Sequence, residues 1–329
     1  HLGYSFSQPA VIKAKGLGWV AVFGNGYDSA TGSAALFVAR IDTGELLQPP
    51  LVLDAGPDNG LSTIAPIDSD GDGQIDLLYA GDLKGNLWRV AADLNGFNTV
   101  SRLYAAKADR TTVQPITSRP EVGRHPTKIK GRMVYFGTGR YFADRDADPA
   151  NTVPSSVYGI YDDDSGATIP SVVSRDAAIL QRQTIETLSG EAFEREGPES
   201  TTWDVRLLSD KTVNWITGSL STCGDPNPRR DQDPASEDDY LQCGWYFDLP
   251  AVDAAGEPTG EKMVSNPILR GGRLIFVTTV PGQPPCDAGG DGWLMEVAAD
   301  NGGRIDNPVF NLNGDGVFGY GDMVASDDP

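Results

Sequence analysis

The sequence predicts an all-β protein, a modified β-propeller of about five blade-like units with a calcium loop in one blade. The 329 residues include 39 Gly and 23 Pro, and no long segment shows a helical apolar period. Many short strands joined by turns are therefore expected. A loose repeat of strand, turn, strand, loop and strand also recurs along the chain. Such units cannot bury both faces alone, so they stack on their neighbours.

The repeat sets the expected organisation of the chain. Regular units begin at Pro9, Pro66, Pro120 and Pro267, and residues 178–249 form a less regular unit between the last two. We predict that residues 1–305 form the propeller, as an incomplete ring belonging to a larger exported protein. A β-sandwich is the alternative, because it also uses short strands at regular spacing.

The second unit contains a nine-residue acidic turn, with carboxylates at positions one, three, five and nine: Asp68, Asp70, Asp72 and Asp76. Gly73 at position six allows a sharp bend, and the backbone carbonyl of Gln74 is the seventh-position ligand. Hard cations such as Ca²⁺ take several oxygen ligands, which this spacing can supply. Without a counter-ion the four acids would repel one another. Short apolar runs flank the turn, so we predict a calcium loop between two strands.

A second candidate calcium loop lies in the predicted C-terminal tail, residues 306–329. Its oxygen ligands follow the spacing of a dockerin-like EF-hand and would be Asn311, Asn313, Asp315, the Val317 carbonyl and Asp322. Only two of these side chains are carboxylates, so its charge is weaker than that of the first loop. A flexible, glycine-rich tail is the alternative, since Asn and Asp also favour turns.

Composition excludes several classes of function. A formal charge of −20 argues against binding to nucleic acid or to anionic membrane surfaces. No apolar run is long enough to span a membrane. The internal histidine, His125, is expected to be a surface or packing residue, and no nucleophile lies in an elbow motif. We therefore predict that the chain is not an enzyme.

The chain has three cysteines. Cys223 and Cys243 flank an insert rich in Asp, Pro and Arg, and a disulfide between them is plausible in an oxidising compartment. Cys286 would then be free, or paired with a segment outside this chain.

Several separate motifs resemble the C-terminal propeller of PilY/PilC-type type IV pilus tip proteins, in the same order along most of the chain. They are Gly24–Tyr27, Asp68–Asp82, Gly85–Arg89, Phe136–Tyr141, Ser265–Pro267 and Gly290–Glu296. The resemblance implies a modified propeller at a pilus tip or on the outer surface of a Gram-negative bacterium, reached by export through the periplasm. It also implies that Asp68, Asp70, Asp72, Asp76 and the Gln74 carbonyl bind calcium.

The function predicted from this resemblance is pilus biogenesis and adhesion. Calcium occupancy would regulate pilus extension, retraction and twitching motility, and the partners would be minor pilins and a host or abiotic surface receptor. Two alternatives stay open. A quinoprotein-like dehydrogenase would need a cofactor pocket on the propeller axis, whereas an integrin-like propeller would repeat the calcium loop in several blades.

Overall fold

A computed structural model describes residues 1–127, 130–151, 153–169, 178–193, 201–226, 240–282 and 290–324. Apart from short 3₁₀ turns, the regular elements of these residues are strands. The strands of the first half are β1 (Ala10–Ala14), β2 (Gly18–Gly24), β3 (Ala34–Arg40), β4 (Leu51–Asp54), β5 (Leu61–Ile67), β6 (Leu77–Asp82), β7 (Asn86–Asp93), β8 (Gly96–Ala105), β9 (Glu121–Arg124) and β10 (Arg132–Gly137). The second half contributes β11 (Ser156–Asp162), β12 (Gln181–Gln183), β13 (Ile185–Phe193), β14 (Thr201–Leu208), β15 (Gly244–Asp248), β16 (Ile268–Arg270), β17 (Arg273–Val277) and β18 (Leu294–Ala298).

These strands form five open sheets, which confirms the predicted all-β fold. The first sheet is the meander β1-β2-β3-β4 and the second is the meander β5-β6-β7-β8. The third has the order β12-β15-β11-β10-β9, and the last is β16-β17-β18. The remaining two strands, β13 and β14, pair as a hairpin. Strand β5 lies against β1 and β9, and β9 lies against β16. The first strands of four sheets are therefore neighbours, as the innermost strands of propeller blades are.

The prediction that residues 178–249 form one irregular unit is wrong. Strand β15 pairs with β11 on one side and, in parallel, with β12 on the other, so both belong to the third sheet. The physical reason is the composition of β15, in which four consecutive residues are buried. A run that is buried on both faces belongs in the interior of a sheet and not at its edge. The hairpin β13-β14 is what remains of the predicted unit.

A buried ion pair joins this hairpin to the segment that precedes the last sheet. The guanidinium of Arg206 on β14 donates to both carboxylate oxygens of Glu261 at 2.7 Å. Both side chains are almost fully buried, and Thr278 also donates to Glu261. Bidentate pairs of this kind fix orientation strongly, so the hairpin is held in place beside the last sheet.

The core has two parts. One lies between the first two sheets and contains Ile12, Val22, Leu36 and Ile64. The other extends from the second sheet to the last and is rich in aromatic rings, among them the fully buried Trp245. The indole nitrogen of Trp245 donates to the Ala299 carbonyl at 3.1 Å, so its one polar group is satisfied.

Close backbone packing explains the Gly-Asn-Gly motif that begins at Gly24. A Cβ atom on Gly24 would lie 2.4 Å from the Leu61 carbonyl oxygen of the neighbouring sheet. The fully buried Asn25 accepts hydrogen bonds from the backbone N–H groups of Ala35 and Leu61, each at 2.9 Å. The motif therefore joins the first two sheets, and we assign it a structural role.

Cys223 and Cys243 form a disulfide in the structure, with their Cα atoms 5.8 Å apart. Cys243 directly precedes β15. Near the disulfide, the Leu241 N–H donates to the Asp225 carbonyl and the Gly224 N–H donates to the Leu241 carbonyl, each at 2.8 Å. Most of the predicted insert and Cys286 lie outside the described residues.

His125 is a packing residue, one of the two roles that the sequence left open. It is 3% exposed, and its ring makes edge contacts with Tyr161 and Trp215 at centroid distances of 4.9 and 4.3 Å. The Nδ1 atom lies 2.9 Å from the Thr127 hydroxyl, whereas the buried Nε2 atom has no partner. Burial lowers the pKa of His125 to about 4.

This environment predicts a pH-dependent contribution to stability. In the unfolded chain the imidazole has a pKa of about 6.5. Between that pH and about 4 it binds a proton, whereas the folded His125 stays neutral. His125 should therefore reduce the free energy of unfolding as the pH falls from about 6.5 to about 4, by about 2 kcal/mol between pH 7 and pH 5. H125F should lose less thermal stability over that interval than the parent chain. H1Q, at an exposed histidine, serves as the control, and equal losses in H125F and the parent would contradict the assignment.

Candidate metal centre

The acidic turn joins β5 to β6 in the second sheet. Its bend depends on Gly71 and Gly73, which both have a φ of +81°. The carboxylate of Asp68 accepts hydrogen bonds from the backbone N–H groups of these two glycines, at 2.7 and 2.8 Å. Left-handed backbone is accessible to glycine at little cost, so the sequence can fold tightly around its first aspartate.

The fold brings three of the predicted ligands together. Asp68, Asp70 and Asp72 each offer a carboxylate oxygen, and these oxygens lie within 4.8 Å of one another. Asp70 and Asp72 are exposed, whereas Asp68 is half-buried. Gathered oxygen ligands of this kind, open to solvent, suit a hard divalent cation such as Ca²⁺.

The other two predicted ligands lie beside this group. The Asp76 carboxylate accepts hydrogen bonds from the backbone N–H and the hydroxyl of Ser69, at 2.8 and 2.7 Å. Gln74 donates its backbone N–H to Asp72 at 2.8 Å. Asp76 therefore pins the start of the loop to its end, and Gln74 orients one of the three gathered carboxylates.

A lysine that directly follows β1 lies among these acids, and sequence reasoning did not find it. The Nζ atom of Lys15 is 2.9 Å from an Asp70 oxygen, 3.9 Å from an Asp76 oxygen and 4.0 Å from an Asp72 oxygen. Its hydrogen bond is the main cause that lowers the pKa of Asp70 below the ordinary value. The ammonium is a cation already seated among the carboxylates, which supports the chemical fit of the loop to a positive ion.

Backbone contacts explain why Lys15 can reach the loop. The Ile75 N–H donates to the Lys13 carbonyl at 2.7 Å, and the Lys15 N–H donates to the Ile75 carbonyl at 3.0 Å. These bonds form a short parallel bridge between the loop and the end of β1. No local sequence signal announces this pairing, because it joins residues about sixty positions apart.

The third sheet also contacts the loop. Arg132, the first residue of β10, donates to the Ser69 carbonyl at 3.1 Å and to the Asp164 carboxylate at 2.6 Å. Deeper in the same region, the buried Asp162 accepts hydrogen bonds from Tyr79 and from Arg89. The acidic loop thus contacts three sheets, which limits how far its ends can move.

The second predicted loop is also folded. The Asp322 carboxylate accepts hydrogen bonds from the backbone N–H groups of Leu312 at 2.8 Å, Asn313 at 3.1 Å and Gly319 at 3.0 Å. Burial acts to raise the pKa of Asp322, but these bonds outweigh it and the pKa is lowered. Asp322 therefore closes the loop through its backbone.

The remaining predicted ligands of this loop differ in their surroundings. Asp315 pairs with the Asn313 side chain at 3.0 Å and accepts the Val317 N–H at 2.7 Å. The side-chain oxygen of Asn311 is buried without a hydrogen-bond partner. The Leu312 carbonyl accepts the indole N–H of Trp203 on β14 at 2.9 Å, so this part of the tail packs against the hairpin. Residues 325–329 lie outside the described part of the chain.

The contacts of Arg132 with the Ser69 carbonyl and the Asp164 carboxylate, which we call the clamp, can be tested directly. R132M should leave Ser69 and the half-buried Asp164 without their cationic partner. Backbone amides of residues 68–76 should then exchange hydrogen about fivefold faster in a metal-free buffer, corresponding to a loss of about 1 kcal/mol. R273M is the matched control, because Arg273 also opens a strand and pairs with Glu296 at 2.8 Å away from the loop. Equal exchange of the loop in all three proteins would contradict the clamp.

No helix among the described residues has the length and apolar character needed to cross a membrane.

Comparison with known proteins identifies the family. Residues 1–195 match the model of the PilY1 β-propeller domain. The type IV pilus biogenesis factor PilY1 of Pseudomonas aeruginosa PAO1 is 32% identical over 340 residues, covering 96% of this chain and 27% of that protein. A PilY1 homologue of Xylella fastidiosa is 31% identical over 324 residues, covering 92% of this chain and 19% of the relative. The chain therefore spans about a quarter or less of the length of these relatives.

A solved structure agrees with this assignment. The crystal structure of the Pseudomonas aeruginosa PilY1 C-terminal domain superimposes with a TM-score of 0.79 at 29% identity, covering 100% of this chain and 65% of that chain. The resemblance read from the sequence motifs is confirmed by these three comparisons. The chain belongs to the PilY1 β-propeller family.

Proposed function

We propose that this chain is a calcium-binding part of a type IV pilus tip-associated adhesin and pilus biogenesis factor. The observation that carries the calcium assignment is the gathering of Asp68, Asp70 and Asp72 oxygens within 4.8 Å in a loop held by three sheets. The pilus assignment is supported by relatives that are named type IV pilus biogenesis factors. Those names describe no catalytic activity, and the role we propose is non-enzymatic.

In this proposal Asp68, Asp70, Asp72 and Asp76, with the Gln74 carbonyl, hold the ion. Bound calcium supplies two positive charges that offset the repulsion among the carboxylates. The chain's own contribution is to present these oxygens together, because Gly71 and Gly73 allow the bend and Asp76 ties Ser69. Since the loop also contacts Lys15 beside the first sheet and Arg132 of the third sheet, a change in its charge alters electrostatic interactions outside the second blade.

We place the protein at the pilus tip or on the outer surface of a Gram-negative bacterium, after export through the periplasm. Its proposed partners are minor pilins and a host or abiotic surface receptor. Calcium occupancy would regulate the balance between pilus extension and retraction, and with it surface attachment and twitching motility. The net charge of −20 supports partners other than nucleic acid.

Calorimetry tests the metal assignment. The purified chain should bind Ca²⁺, and D70A should weaken this binding at least tenfold because one of the three gathered carboxylates is lost. D42A is the control, since Asp42 is an exposed acid that pairs with Arg40 at 3.1 Å in another turn. Identical isotherms for D70A and the parent chain would remove the site.

A cellular experiment tests the functional assignment. The full-length protein carrying D70A should be expressed in the bacterium in place of the normal protein. Surface pili, twitching and attachment should then lose their dependence on external calcium, while D42A retains it. An unchanged calcium response in D70A would contradict the regulatory role even if calorimetry had shown binding.

We extend the proposal to the C-terminal loop as a weaker calcium site within the predicted tail, residues 306–329. Support comes from the closure of the loop by Asp322 and from the buried, unpaired oxygen of Asn311. In a D70A background, a weak residual calcium isotherm should remain, and adding D315A should abolish it. If D70A alone removes all calcium binding, the C-terminal loop is not a site.

A further inference from the structure

The cation at the acidic loop belongs to the chain itself. Lys15 follows the last residue of β1, and its backbone is fixed against Ile75 by the parallel bridge. Its side chain then has only to extend over the loop, where its Nζ atom lies within 4.0 Å of oxygens from Asp70, Asp72 and Asp76. Among the ion pairs of the described residues, these are the ones that involve the loop carboxylates.

The other basic groups near the loop have different roles. Arg132 contacts the loop through the Ser69 carbonyl, and its charge is directed to Asp164. Lys13, two residues before Lys15, points to the exposed face of β1 and contributes only its backbone carbonyl to the bridge. Lys15 is therefore the basic side chain whose charge is directed at the loop carboxylates.

The positions of the charges determine the consequence. An ammonium and a divalent ion that share the same carboxylates repel each other at such short range. The oxygen atoms that Lys15 contacts belong to three of the four proposed carboxylate ligands, so a bound ion and the seated ammonium require the same region. Calcium binding would therefore displace the ammonium toward solvent. The free energy of the Lys15 contacts that are lost would weaken the binding of the ion.

We propose that Lys15 is an intramolecular counter-cation that competes with calcium for the loop and thereby sets its affinity. This inference rests on the proposed calcium site and adds its regulation. The lysine stabilises the metal-free loop by reducing the repulsion among the acids. When the ion binds, the released Lys15 side chain becomes exposed beside the first sheet. Ion binding to a loop in one blade thereby changes the charged surface of the neighbouring blade.

The variant K15M keeps the aliphatic length and removes the charge. It should bind Ca²⁺ about tenfold more tightly than the parent chain, equivalent to about 1.4 kcal/mol. K15R should bind with nearly the parent affinity, because it retains a cation. K13M is the matched control, since it removes one charge two residues away without touching the loop carboxylates, and its affinity should change by less than about twofold, given screening at physiological salt.

A second measurement follows the lysine directly. In the parent chain, the reaction of the Lys15 amine with an acylating reagent, read by mass spectrometry, should increase several-fold on adding calcium, while that of Lys13 stays constant. Magnesium at the same concentration is a useful comparison ion, because it dehydrates reluctantly and demands a stricter geometry.

The outcomes separate the two proposals. Tighter binding by K15M together with calcium-dependent reactivity of Lys15 supports the inference. Equal affinities of K15M, K13M and the parent, or a Lys15 reactivity that ignores calcium while the parent still binds it, would overturn the competition and leave the calcium site intact. If neither the parent nor K15M binds calcium, the calcium site fails, and the competition fails with it.

Discussion

The repulsion among the carboxylates of residues 68–76 is the constraint on which the functional reading depends. A turn that gathers Asp68, Asp70 and Asp72 so closely costs electrostatic free energy unless a cation is present. The chain reduces this repulsion in two ways. It satisfies Asp68 and Asp76 with hydrogen bonds from within the loop, and it places the Lys15 ammonium beside the others. These contacts hold the loop together, while its most exposed acids keep their oxygens accessible.

The buried Asp82 contrasts with the exposed aspartates of the acidic loop. Asp82, at the end of β6, is fully buried and accepts hydrogen bonds from the side chains of Asn59, Asn86 and Trp88 at 2.8–2.9 Å. Its other carboxylate oxygen accepts the backbone N–H groups of Lys84 and Asn86. A carboxylate surrounded by so many donors has no capacity left for a metal and acts as a structural centre of its blade. Exposure and unsatisfied capacity, rather than the number of acids, therefore distinguish the candidate metal loop.

Much of this could be predicted from the sequence because the signals are local. The acidic turn announces itself through the spacing of Asp68, Asp70 and Asp72 and the glycines between them, and the regular blades through their alternation of apolar runs and turns. The pairing of Cys223 with Cys243, seen in the structure, was also suggested by the insert they enclose.

The features that the sequence did not reveal depend on contacts between distant segments. Strand β15 reads as a member of an irregular unit, but its buried composition draws it between β11 and β12. Lys15 and Arg132 carry no local pattern, and they acquire their roles only because the first and third sheets pack against the loop. In these cases packing between distant segments decides the structure, and the order of residues along the chain does not reveal it. An interior strand such as β15 pairs with two strands that sequence order alone does not identify.

The central claim is that this loop exists to hold a divalent cation on the propeller scaffold. The most direct measurement is anomalous diffraction from crystals grown in millimolar calcium. We predict an ion in contact with oxygens of Asp68, Asp70 and Asp72, with the Lys15 ammonium moved away from them. A well-ordered loop with no ion and with Lys15 still seated on Asp70 would contradict it.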